Sequence, residues 1–257
     1  MPYIDFHTHF DSNKFTKIYD AYSFLSKEAK KYKFNKIITL QLLSQPWSRE
    51  EVGELNSEFN NIYTFVDINP FEKDPIKKLK KYVTKYNYFG LKLHPRLNNF
   101  QINNKNTFKL VQAAGEMKIP VLIDCFPDGN SIIDNFKTAD YGILCRNCKN
   151  TKIIAAHMGG IYCLEMLMIA KRCENLYLNI AYTFLYYRNS SITKNIIYAV
   201  DSLKGKKIFY GSDYPDRKLK QSLDLTKNEF KGSGISKKYL DNLFYNNAKN
   251  FLSEYEK

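Results

Sequence analysis

The chain has 257 residues, 44% of them hydrophobic, which suits one large α/β domain spanning residues 1–257. The net charge of +13 invites a nucleic-acid partner, but only six of the 39 basic residues are arginine and the lysines are spread along the chain, so a solvated cationic surface and an anionic small-molecule substrate are expected, and no nucleic acid. No window nears the roughly 18 uninterrupted apolar residues of a membrane span, the start carries no signal-peptide pattern, and five cysteines, an odd number, fit reduced thiols; a cytoplasmic protein without a membrane partner is expected, with a homo-oligomer left open.

The first strand, Tyr3 to His9, ends in His7-Thr8-His9. A strand has a side-chain period of two, so both imidazoles fall on one face, with Ile4, Phe6 and Thr8 expected on the other and Asp5 on the histidine face one layer deeper. Apolar residues at helical spacing follow over Lys14 to Tyr32, then a buried strand over Lys36 to Leu42, a short helical piece from Glu50 to Phe59, and a third strand, Ile62 to Ile68. A lysine-rich amphipathic helix, Asp74 to Tyr86, leads to a fourth strand, Phe89 to Pro95, carrying Lys92 and His94. A helix over Thr107 to Met117 precedes strand five, Pro120 to Cys125, which ends in Asp124. Part of Asn130 to Asn147 is helical, strand six runs from Lys152 to Met158 through His157, and a helix follows from Ile161 to Cys173. Strand seven is Asn175 to Tyr182, and a helix covers Ser191 to Leu203. Strand eight, Lys207 to Asp213, precedes two amphipathic pieces, Leu219 to Phe230 and Ser236 to Tyr255.

Eight strands, each followed by a helical segment at roughly 30-residue spacing, predict a (β/α)8 TIM-like barrel. An open doubly wound sheet would need a glycine-rich loop after strand one, and none is present. Barrel strand ends converge on one rim, so His7, His9, Lys92, His94, Asp124, His157 and Asp213 are expected to meet there. Two imidazoles with carboxylates suit zinc or a similar divalent ion, which lowers the pKa of bound water from 15.7 toward about 7 and makes hydrolysis the obvious chemistry. Asp213 is then a candidate ligand and general base, and His157 a group that polarises or protonates the substrate. Cys145 and Cys148 have the spacing of a metal clip but lack a second pair at a matching distance.

Five segments together resemble the amidohydrolase superfamily, in its amidohydrolase-related branch: Ile4-Asp5-Phe6-His7-Thr8-His9, Gly90-Leu91-Lys92-Leu93-His94-Pro95, Pro120-Val121-Leu122-Ile123, Ala156-His157-Met158-Gly159-Gly160 and Tyr210-Gly211-Ser212-Asp213-Tyr214-Pro215. The resemblance implies a metal-dependent barrel enzyme, often with zinc, that hydrolyses C–N or lactone bonds, with decarboxylation in some members. It implies His7, His9 and Asp213 as metal ligands, His157 as a catalytic residue or further ligand, and Lys92, His94 and Arg96 as substrate contacts. Asp124 departs from it, standing where the family usually has a histidine. As a ligand, Asp124 would move the preference toward Mn²⁺ or Mg²⁺. A metal-dependent hydrolase of a small anionic lactone or amide is the leading expectation, with a decarboxylase or a catalytically silent metal-binding barrel as alternatives.

Overall fold

A computed structural model describes residues 2–256. Eight parallel strands pair in chain order: β1 (Tyr3–Thr8), β2 (Phe34–Leu40), β3 (Ile62–Asp67), β4 (Gly90–Leu93), β5 (Val121–Ile123), β6 (Ile153–Ala155), β7 (Leu176–Asn179) and β8 (Ile208–Phe209). Closure comes from the segment beyond β8. There the Phe6 amide donates to the Tyr210 carbonyl at 2.9 Å, the Asp213 amide to His7 at 2.9 Å and the His9 amide to Tyr214 at 2.6 Å. The (β/α)8 barrel expected from the sequence is the fold.

The helices are α1 (Ile18–Lys31), α2 (Arg49–Glu54), α3 (Pro75–Tyr86), α4 (Lys105–Glu116), α5 (Gly129–Ile133), α6 (Thr138–Asn147), α7 (Cys163–Arg172), α8 (Thr183–Tyr186), α9 (Ser191–Ser202), α10 (Leu219–Phe230), α11 (Lys237–Asp241) and α12 (Asn247–Ser253). Their sequences explain them locally. In α3, Pro75 occupies the first turn, where its missing N–H costs nothing, and Leu79, Tyr82 and Tyr86 form the buried face. Ser48 and Glu51 close a reciprocal capping box at α2. The C-terminal amphipathic stretch forms α11 and α12, joined without a break by a π-helical turn at Asn242–Asn246.

Two apolar layers result. One lies between strands and helices and includes Ile37, Val66, Leu91, Val121, Ile153 and Leu176. The other fills the barrel: Ile4, Phe6, Ile38, Leu40, Phe65, Leu122, Ile154 and Phe209 pack together, and Ala248, Phe251 and Leu252 of α12 plug the end opposite the strand C-termini. Phe6 stacks on Phe209 at 4.4 Å and meets Phe251 edge-on at 5.6 Å.

Ile4 and Phe6 therefore face the barrel interior, as His7 and His9 do, which corrects the strict alternation expected of β1. The cause is a change of register: Asp5 pairs with Ile37 and Thr8 with Thr39, three steps against two. This bulge reverses the phase of the strand. Above it Thr8 turns away and bonds Thr39 Oγ1 at 2.9 Å. Strands six and eight are also shorter than expected, because the chain leaves extended geometry before the functional residues: His157 has φ 62° and Asp213 φ 59°. Among the described residues no helix is long and apolar enough to cross a membrane. The cysteines are all free and buried.

Candidate metal centre and active site

The interior changes character above the aromatic layer. His7 Nε2 lies 3.1 Å from Asp213 Oδ1 and 3.3 Å from His9 Nε2, and His9 Nε2 lies 3.7 Å from the same oxygen. His7, His157 and Asp213 also offer ligand atoms within 4.8 Å of one another. Donors about 2.0–2.1 Å from a tetrahedral ion stand roughly 3.3–3.4 Å apart, so the His7, His9 and Asp213 spacings bracket that value.

Hydrogen bonds behind the rings set which nitrogen faces inward. His9 Nδ1 donates to the Leu40 carbonyl at 2.9 Å and His157 Nδ1 to the Ala181 carbonyl at 3.0 Å, so each presents Nε2 to the site. Asp213 Oδ1 is buried and has no hydrogen-bond partner despite its closeness to two imidazoles, and Asp124 Oδ1 is in the same state. Imidazole lone pairs aimed at a carboxylate require a proton or a cation between them. Burial pushes His7 well below the usual imidazole range and His9 down to about 4, against the pull of Asp213 in the second case. Neutral imidazole is the form that binds a metal. The donor set fits a divalent ion.

Beside this group lies a second one. Asp124 Oδ1 is 3.3 Å from His157 Nε2 and 3.6 Å from His94 Nε2, and its other oxygen is 3.5 Å from Arg96 Nε. Burial alone would raise the Asp124 carboxyl, but His94, His157 and Lys92 outweigh it and hold the group well below the usual carboxylate range. Burial takes His94 down to about 3, and the Leu97 amide donates to its Nδ1 at 3.3 Å. Arg96 also donates to Asp128 at 3.1 Å. Lys92 is fully buried with an unpartnered ammonium, lowered by burial and supported by Asp124, Asp67 and Asp213.

Six of the seven residues expected at the rim fall into two adjoining groups, His7, His9 and Asp213 with His157, and Asp124 with His94, Arg96 and again His157; Lys92 is fully buried with its ammonium bonded to none of the described residues. Asp5 differs from expectation in detail. Its carboxylate accepts from the His7 amide at 3.1 Å and the Ser212 amide at 2.9 Å, so it ties β1 to the segment after β8 and touches no imidazole ring. Cys145 and Cys148 are buried thiols raised by burial, far from thiolate character.

Some residues of the rim were missed. Asp67, at the end of β3, accepts from Leu43 at 3.1 Å and Asn98 at 3.0 Å, binding the loops after β2 and β4 together. The strand-end rule that picked Asp124 would have found it. Phe126 and Tyr182, packed at 5.0 Å beside His157, carry no such signal. A cavity of about 1130 Å³ opens between the β4 and β5 loops, lined among others by Arg96, Asp124, Phe126, Asp128 and Tyr141. Its lining includes Asp124 but none of His7, His9, His157 and Asp213.

No curated protein matches the sequence. Among solved structures, the chain is similar over its full length to an uncharacterized TIM-barrel protein from Bordetella bronchiseptica (TM-score 0.77, 15% identity, 100% of each chain). It is similar to a probable 2-pyrone-4,6-dicarboxylic acid hydrolase from Acinetobacter baumannii with citric acid bound (0.69, 13%, 98% and 100%). A third is an amidohydrolase from Burkholderia multivorans with bound zinc (0.66, 11%, 98% and 99%). At these identities the likeness shows the fold. The amidohydrolase family model matches residues 56–253, from the approach to β3 through the end of α12, and the chain therefore belongs to the amidohydrolase family.

Proposed function

We propose that the protein is a metal-dependent hydrolase of a small anionic carbonyl compound, a lactone or an amide. The observation that carries this reading is the meeting of His7 Nε2, His9 Nε2 and Asp213 Oδ1 at 3.1–3.7 Å with no hydrogen bond satisfying the carboxylate oxygen. In this reading those three residues hold one divalent ion, and His157 stands ready as a fourth donor. When bound, such an ion acidifies water and polarises a carbonyl. Two nitrogens and one oxygen suit zinc, and the zinc-bound relative from Burkholderia multivorans supports that choice; Mn²⁺ or Mg²⁺ would gain if Asp124 joined the set.

The roles of the chain's own groups follow from their positions. Asp213 takes the proton released by the attacking water, as a general base at the rim. Where His157 is not the fourth ligand, its ring, held by Ala181, protonates or polarises the substrate from Nε2 in the imidazolium form. Arg96, on the rim with part of its guanidinium exposed, meets the substrate carboxylate, and His94 lines the approach. Lys92, fully enclosed, acts through its positive field beneath Asp124 and Asp213 and not by direct contact.

The cavity beside Asp124 is open and bears a single arginine among several carboxylates. A sealed, arginine-rich pocket would favour decarboxylation, so this lining supports the hydrolytic reading. The test is elemental analysis of protein purified without added metal, followed by turnover on lactone and amide collections. The expected result is about one divalent ion per chain, lost in a folded His7→Ala, His9→Ala double variant. Full metal occupancy in that variant would overturn the reading.

A further inference from the structure

The chain leaves β7 through an unusual turn. Tyr182 has φ 59° and ψ −66°, and the Thr183 amide donates to the Ala181 carbonyl at 2.6 Å. That is a γ-turn of the positive-φ kind, which is rare and strained. A tyrosine adopts it at a cost that glycine or asparagine would largely escape. Strain of this sort persists where the surrounding structure enforces it, and it concentrates at functional positions. At this rim, left-handed backbone occurs at His157, Tyr182 and Asp213, after β6, β7 and β8 in turn. The first and last are in the candidate active site already described.

The turn has two visible effects. It directs the Ala181 carbonyl at His157 Nδ1, while Thr183 Oγ1 donates to the His157 carbonyl at 2.7 Å, so the strained segment clamps the histidine from both ends. It also projects the Tyr182 ring to 6.1 Å from the His157 ring. Tyr186 stacks on Tyr182 at 4.9 Å and 22°, and Phe126 meets it at 5.0 Å and 87°. The Tyr182 side chain is half-buried, and its hydroxyl bonds to none of the described residues. Phe126 in turn lines the cavity that Asp124 also lines.

We propose that Tyr182, backed by Phe126 and Tyr186, is a specificity-determining residue whose ring grips the flat face of a conjugated acid while its carboxylate reaches the cationic side of the rim. This rests on the reading of the site as one for small anionic carbonyl compounds. A rigid aromatic wall rewards a planar partner, because offset stacking and edge-to-face contacts need a π-face that a puckered ring lacks. Tyr182 acts by contact with the substrate plane, and its hydroxyl is dispensable.

The test is calorimetric titration of the metal-loaded protein with two probes of equal charge and similar size, isophthalate and cis-1,3-cyclohexanedicarboxylate. Wild type should bind the planar probe about tenfold more tightly. Tyr182→Phe should keep that ratio. Tyr182→Gly, which accepts the positive φ, and Phe126→Leu should each bring it to within about threefold. Equal, measurable binding of both probes by wild type would overturn the wall and leave the anionic site standing. So would a ratio unchanged in Tyr182→Gly and Phe126→Leu, or one lost in Tyr182→Phe. Binding of neither probe would overturn the anionic-site reading itself, and this inference with it.

Discussion

At the scale of single residues, the site brings two imidazole nitrogens and a carboxylate oxygen within 3.1–3.7 Å of one another. In the proposed reading Asp213 is the general base: its carboxylate lies 3.1 Å from His7 Nε2 and 3.7 Å from His9 Nε2, on a backbone with positive φ. Asp213→Asn is expected to fold with wild-type thermal stability to within a few degrees and to lose at least about 10² in turnover on an identified substrate, since general-base catalysis contributes 10² to 10⁴. Unchanged turnover would make Asp213 structural. Asp124 makes a different prediction. Its nearest atoms belong to His157, Arg96 and His94, outside the tightest group, so Asp124→Asn should retain about one metal ion per chain by elemental analysis while impairing turnover. Loss of the metal would put Asp124 among the ligands. The rim positions were legible because each lies at the C-terminal end of a strand in an otherwise apolar run. Tyr182 was not, because nothing in Ala181-Tyr182-Thr183 advertises a residue with positive φ.

At the scale of elements, the connections after the strands determine where these groups sit. Gly211 follows β8, and a Cβ there would stand 2.7 Å from His7 Cβ and 2.8 Å from Ala181 Cβ. Gly211→Ala must displace β1 or β7, at a cost of about 1–3 kcal/mol, and should weaken metal retention through His7. Urea unfolding and metal content measured together will tell, and wild-type values for both would refute it. Asp67 ties the loops after β2 and β4, and burial pushes its carboxyl up to about 6. A raised folded-state pKa means that the native protein binds the proton more tightly than the unfolded chain. This contribution is therefore full below about pH 4 and is lost as the pH rises through about 6, amounting to about 3 kcal/mol across the window. Asp67→Asn should flatten this segment of the stability–pH profile. An unchanged difference between pH 4 and 7 would show that Asp67 titrates normally. Element types and order were readable from periodicity, but strand ends were not, since the sharp turns at His157 and Asp213 follow from barrel geometry and neighbouring loops.

At the scale of the whole molecule, the two barrel ends divide the work. The rim carries imidazoles and carboxylates, and the other end is closed by Phe251 and Leu252 of α12 on the interior phenylalanines. Phe251→Ala should cost about 3–5 kcal/mol by leaving a cavity, yet leave metal content unaltered because the plug is remote from the rim. A fall in metal content in the folded variant would mean that the two ends are coupled. The barrel was legible as a count of eight strands. The plug was hidden, because the sequence shows Ser236 to Tyr255 only as one more amphipathic stretch. Its inward face belongs to a partner that exists only once the barrel has closed.

The bulge in β1 has a consequence for how such a protein could be altered. One extra residue between Asp5 and Thr8 lets a single strand serve two masters: Ile4 and Phe6 answer to the packing of the interior, and His7 and His9 to the cluster at the rim. Because that residue can only be Phe6 or His7, deleting it would restore plain alternation with one inward neighbour gone, either the ring that stacks on Phe209 or one of the two imidazoles. Transplanting the rim cluster into another barrel with the same interior packing would require carrying the slip along with the histidines. The slip thus lets one strand follow one grammar of alternation below it and another above.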